Sequence, residues 1–177
     1  MNTLIVYESM YGRTHQVADS IAAGLRHAAE VRVVPVGEAT PELVGWADLV
    51  VAGGPTHIHG MSRASTRKGA ADVLAKPENR LTLDPAASGP GIREWLAGLL
   101  PAKGKRAAAF DTRVSAPALL SGRASGLIGK GLRQAGYELV AAPESFLVDR
   151  QTELLPGELE RAEEWGMSMV DGLVPVG

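Results

Sequence analysis

Five short apolar segments alternating with helix-like stretches set the tightest limit on what this chain can become. They are residues 3–7 (TLIVY), 30–36 (EVRVVPV), 48–54 (DLVVAGG), 106–112 (RAAAFDT) and 138–148 (ELVAAPESFLV). Several lack polar alternation, the pattern of strands covered on both faces. Between the first two, residues 14–29 place Val17, Ile21 and Leu25 at i, i+4 and i+8 with Ala18 and Ala22 beside them, which predicts an amphipathic helix. Similar spacing recurs over 127–136, stopping on Gly136, and over 156–173, which opens on Pro156 and acidic residues. Strand and helix in repeated alternation imply right-handed crossovers. The expected fold is α/β: a doubly wound, five-stranded parallel sheet with helices on both faces.

Two segments interrupt this rhythm. Residues 76–91, rich in Pro, Gly and polar side chains, separate a helix-like stretch (62–76) from a second apolar patch (92–100) and predict an excursion between strands three and four. Residues 112–126 predict a long loop after strand four. A chain of 177 residues, 45% of them hydrophobic, suits one domain over 1–177. The net charge of −2 supplies no basic footprint for nucleic acid. Cysteine is absent, which removes disulfides, thiolate nucleophiles and cysteine-ligated metals, so redox chemistry has to come from a bound cofactor. No apolar run approaches the roughly 18 residues of a membrane span, and the first residues lack a signal-peptide pattern. The expected location is cytoplasmic.

In open α/β sheets ligands sit beyond the C-terminal strand ends, so the loops after strands one, three and four are the candidates. The first reads ESMYGRT (8–14). Ser9 and Thr14 offer hydroxyls, Gly12 permits a tight turn, and the first carboxylate of the following helix is Asp19. An acid-free first turn leaves a helix N-terminus open to an anion. Neither GxxxxGK[ST] nor GxGxxG is present, and the same residues suit an ordinary turn with Thr14 as helix cap. His57 and His59, at i and i+2, have no convincing third metal ligand nearby; an imidazole beside a cofactor and an exposed loop pair are the other readings. His15 and His27 read as helix-surface residues, and Trp46, Trp95 and Trp165 as packing residues. No Ser/His/Asp arrangement or G-x-S-x-G elbow marks a hydrolase, and no catalytic side chain is assigned.

ESMYGRT after the first strand resembles the phosphate loop of flavodoxin-like proteins, which seat the phosphate of FMN on amides and Ser/Thr side chains at the start of the first helix. The third-strand loop GGPTHIHGMS (53–62), through Pro55–Thr56 and Gly60–Met61–Ser62, resembles the flavin-ring loop of NAD(P)H:quinone oxidoreductases of the tryptophan-repressor-binding-protein type. FDTRV (110–114) falls where the third FMN loop of that superfamily begins. The resemblance in element order extends over nearly the whole chain and implies that 1–177 is a single flavodoxin-like FMN-binding domain.

Carried onto this sequence, the resemblance implies a phosphate among Ser9, Met10, Tyr11, Gly12, Arg13 and Thr14. It implies a flavin ring against Pro55, Thr56, His57, Ile58, His59 and Gly60, with its other edge near Asp111, Thr112 and Arg113. The implied activity passes electrons from NAD(P)H or a redox-protein donor to a quinone-like acceptor, in a chain that can assemble as a homo-oligomer. An electron carrier, a flavodoxin-like protoporphyrinogen oxidase and a flavin-free interaction module are the alternatives. Two features depart from the carrier pattern: the chain is nearly neutral, and only 5% of it is aromatic, with Tyr11 and Phe110 in or beside the three loops. Glu8 stands at the mouth of the phosphate loop, where it has to point away or meet Arg13.

Overall fold

The computed structural model describes residues 1–57, 60–74, 81–116 and 122–171. The apolar segments become β1 (Asn2–Tyr7), β2 (Glu30–Pro35), β3 (Leu49–His57), a two-residue β4 (Gly60–Met61), β5 (Arg106–Val114), β6 (Glu138–Leu139) and β7 (Glu144–Val148). The helices are α1 (Arg13–Leu25), α2 (Pro41–Trp46), α3 (Ala64–Leu74), α4 (Ile92–Ala97), α5 (Ala124–Gln134) and α6 (Glu158–Asp171). The sheet runs β2-β1-β3-β5, with β6 and β7 both on the outer side of β5. These neighbours pair in parallel; only β4 folds back antiparallel onto the end of β3.

Five parallel positions are thus filled, as the alternating pattern predicts, with the fifth split in two. Ala107 pairs with Leu139 and Phe110 with Glu144, so three steps along β5 face five along the outer strand and two extra residues bulge out. Pro143 lies in that stretch and has no N–H to give to a ladder. β3 and β5 run further than expected, to His57 and Val114, which shortens the loop expected over 112–126 at its start, while α5 shortens it at its end. In the excursion, residues 85–88 make turns and the second apolar patch folds as α4. Residues 75–80 lie outside the described part.

Successive residues of the central strands alternate between two cores. Ile5, Val51 and Phe110 pack with Val17, Ile21 and Leu25 of α1 and Met169 and Val170 of α6. Leu4, Val6, Val50 and Ala52 pack with Ile92 of α4 and Ile128 and Leu132 of α5. Burial on both sides is why these strands read as unbroken apolar runs. The two helices of the first layer approach backbone to backbone: a Cβ at Gly24 would collide with the Glu163 carbonyl, and one at Gly166 with the Ile21 carbonyl. The chain leaves β1 toward β2 on one side and returns to β3 on the other. The loops after β1 and β3 therefore diverge, leaving a crevice at the C-terminal edge of the sheet. Among the described residues no helix is long and apolar enough to cross a membrane.

Candidate functional site

Between the end of β1 and the start of α1 the chain turns within residues 8–12. Gly12 makes this possible with φ +84°, a conformation L side chains rarely adopt. Its N–H donates to Ser9 Oγ at 3.0 Å. The helix ladder begins with Gln16 N–H to the Gly12 carbonyl at 3.0 Å, so the amides of Arg13, Thr14 and His15 precede it. With no acid in the first turn, the positive end of the helix dipole stays uncompensated by the helix itself. Thr14 is buried and its Oγ1 lies 2.7 Å from Thr112 Oγ1, a hydroxyl pair that ties the first loop to the end of β5.

Two charged neighbours turn away from this loop. Glu8 is buried, and its Oε2 accepts the Ile92 N–H at 2.8 Å at the start of α4. Arg13 reaches across to the turn after β7, donating from Nε to the Thr152 carbonyl at 3.1 Å and pairing with Glu153. The carboxylate at the mouth of the loop thus points away, and it is Glu153, not Glu8, that meets the arginine.

The three loops converge on one cleft of about 140 Å³. Met10, Tyr11, Arg13 and Thr14 form one wall, Pro55, Thr56 and His57 a second, and Thr112, Arg113 and Val114 a third. At His57 the cleft adjoins a larger depression of about 490 Å³, bordered by Gly60, Met61, Arg63, Arg93 and Leu127. Burial lowers the His57 pKa from its ordinary value; Glu8 pulls the other way, and Arg67 adds to the lowering. The imidazole is therefore neutral at pH 7, a hydrogen-bonding group and not a cation. Burial also raises the Tyr11 phenol.

The remaining expected residues have other surroundings. Ser9 is buried behind the loop it braces. Asp111 is fully buried, and its Oδ2 accepts the Ser125 N–H at 2.7 Å. Thr56 Oγ1 accepts the neighbouring Ala124 N–H at 2.9 Å. These two side chains from the sheet cap α5, whose own cap position, Arg123, supplies no side-chain bond. Gly60 sits in β4, where an added Cβ would lie 3.0 Å from Leu127 Cδ1. Ile58 and His59 fall outside the described residues. Phe110 is sealed in the core against Phe146 and Trp165, which leaves Tyr11 as the described aromatic of the cleft.

His15 does more than sit on a helix surface. Its ring stacks on Tyr7 at 4.3 Å, and its Nδ1 lies 3.3 Å from Asp84 Oδ2. Asp84 N–H donates to the Met10 carbonyl at 2.8 Å, so the excursion is fastened to the first loop. Burial and then Asp84, Asp19 and Glu38 push the Tyr7 phenol up to about 12. Val148 and Thr152 also line the cleft, and the sequence reading did not place them there. One local signal was present: Asp149 Oδ1 accepts the N–H groups of Gln151 and Glu153, a turn that aspartate favours.

A loop with an acid-free helix start at the switch point of a doubly wound sheet, facing two further loops across a cleft, is the arrangement at which open α/β sheets hold ligands. Comparison with known proteins makes the class more particular. Residues 4–68 match the family model described as Flavodoxin domain. A flavodoxin of Aquifex aeolicus (strain VF5) is 40% identical over 57 residues, an aligned stretch covering 31% of this chain and 31% of that one. The chain thus spans under a third of the length of that curated relative. Oxidised flavodoxin 1 of Bacillus cereus has the same fold, with a TM-score of 0.68 at 18% identity over 98% of this chain and 100% of the other. A WrbA-like flavodoxin from Agrobacterium tumefaciens gives 0.60 at 21%, over 97% and 96%. The fold is thus flavodoxin-like, and the sequence match is confined to its first part.

Proposed function

We propose that the protein binds FMN non-covalently in this cleft and passes electrons from NAD(P)H or a redox-protein donor to a quinone-like acceptor. The observation that carries the reading is the meeting of the three expected loops on one cleft whose inner end is an acid-free helix N-terminus. FMN, when bound, supplies the reversible electron transfer; the chain supplies position, electrostatics and water exclusion. The amides of Arg13, Thr14 and His15 and the Thr14 hydroxyl suit a phosphate. Gly12 leaves open space where a Cβ would project, and its φ of +84° strains any side chain placed there. Pro55, Thr56 and His57 would flank the ring, with neutral His57 able to donate or accept a proton-bearing hydrogen bond at its edge. The depression beyond His57, with Met61 and Leu127 in its wall, has room for a flat acceptor.

A carrier reading has its own support, the sequence match to a protein named flavodoxin. Steady-state oxidation of NAD(P)H coupled to quinone reduction favours the first reading; exchange with protein partners alone favours the second. Both require the cofactor. The absorption spectrum of the purified protein, recorded before and after adding FMN and paired with FMN fluorescence, is the direct test. Flavin bands and quenched or shifted fluorescence are expected, weakened in Gly12→Val. Absent bands with unchanged fluorescence overturn the proposal.

A further inference from the structure

The chain carries a net charge of −2, yet its charge is not evenly spread. Four depressions adjoin, from the C-terminal edge of the sheet down the groove between α4 and α5, sharing Met10, His57 or Arg93 between neighbours. Among the described residues none of them has a carboxylate in its wall, while each has two basic side chains. Glu153 offsets Arg13 and Glu94 offsets Arg67. Arg63, Lys68, Arg93 and Lys130 have no such partner among the described residues. Arg93 is held by the Met61 and Ser62 carbonyls at 2.9 and 3.1 Å, bonds that fix its position without cancelling its charge. Of the remaining acids, five are on α6, where Glu158, Glu160, Glu163, Glu164 and Asp171 stand against Arg161.

We propose that this collar of Arg63, Lys68, Arg93 and Lys130 docks an acidic redox protein, one presenting carboxylates around its own redox centre, over the candidate cofactor cleft. The partner's class rests on the redox reading above; the docking charge does not. Dispersal of the cations is the argument for a protein over a small anion. Lys68, Arg63 and Lys130 border three different depressions, of about 300, 490 and 460 Å³. A phosphate calls for donors converging on one point, whereas rim charges spread around an opening steer and orient a large partner. Steering of this kind weakens as salt shortens the Debye length from about 10 Å at 0.1 M to about 3 Å at 1 M.

The test uses an acidic [2Fe–2S] ferredoxin and basic cytochrome c as probes. Fluorescence anisotropy measures binding of each to the protein as purified, and stopped-flow spectroscopy measures electron exchange with the FMN-loaded protein, at 20 mM and 500 mM NaCl. Arg63, Lys68 and Lys130 are exposed, so the combined variant Arg63→Glu, Lys68→Glu, Lys130→Glu is the one to compare, with Lys103→Glu as a control and circular dichroism to verify folding. Expected is preference for ferredoxin at low salt, lost at high salt, weakened at least tenfold by the triple variant and untouched by the control. Preference for cytochrome c, or unchanged ferredoxin binding in a folded triple variant, overturns the proposal. So does a triple variant that alters only the KM for NADPH, which assigns the collar to a dinucleotide phosphate. If FMN does not bind, the redox reading fails while anisotropy still decides the docking.

Discussion

Glu8 and His57 show how a side chain's role is decided by what is folded against it. A carboxylate one residue before a hydroxyl-rich turn reads as a hazard to any bound anion, but Glu8 is committed to the Ile92 N–H at 2.8 Å and closes the start of α4 instead. His57 reads in sequence as half of a histidine pair; in the fold it stands where the cleft and the larger depression meet. Burial depresses its pKa, so the unfolded chain binds that proton more tightly than the folded one does. Its stability deficit is absent above the ordinary value of 6.5 and grows as pH falls through it toward the depressed folded value. Urea midpoints measured between pH 5 and 8 are expected to fall on the acid side in the parent chain and to fall less in His57→Asn. Parallel curves would remove His57 from the acid response.

At the scale of elements, the layer of α1 and α6 depends on two glycines that let backbones touch. Gly166→Ala puts a methyl against the Ile21 carbonyl, and neither helix backbone is a flexible group that can step aside. The expected loss is about 1–3 kcal/mol or more, the range for overpacking a close-packed interface, read as a lowered urea midpoint with little change in slope. Gly45→Ala serves as the comparison, because nothing lies within 4 Å of its added Cβ. Helix α5 illustrates the opposite kind of contact. Its N-terminus is held by Thr56 and Asp111, which come from β3 and β5, so a helix with no cap in its own sequence acquires two from the sheet. Both residues were expected beside a flavin; Asp111 is instead wholly enclosed by this duty.

For the whole molecule, one cleft and the sheet beneath it are coupled through the Thr14–Thr112 hydroxyl pair and the Arg13 contacts to the turn after β7. A ligand that binds only the folded state stabilises it by mass action, so FMN at about 100 times its Kd is expected to add about 2.7 kcal/mol to the unfolding free energy. A calorimetric or fluorescence melt with and without FMN reads this as a rise in Tm, reduced in Gly12→Val. An unchanged Tm at saturating FMN would contradict the cofactor reading. The same scale separates what could be read from residues from what could not. The layered α/β fold, the strand order of the three loops and the acid-free start of α1 were legible, because they rest on local periodicity and composition: apolar runs where both faces are buried, a 3.6-residue stripe where one is. The break of the fifth strand was half legible, through Pro143. The commitments of Glu8 to Ile92, of Asp111 to Ser125, of His15 to Asp84 and of Arg13 to Glu153 were not, since the partners stand 84, 14, 69 and 140 residues away and no periodicity records them. Sequence by itself determined which loops gather at the switch point; only the tertiary structure decided which of their side chains face the cleft, because a polar group turns toward whichever buried partner long-range packing brings within hydrogen-bonding reach.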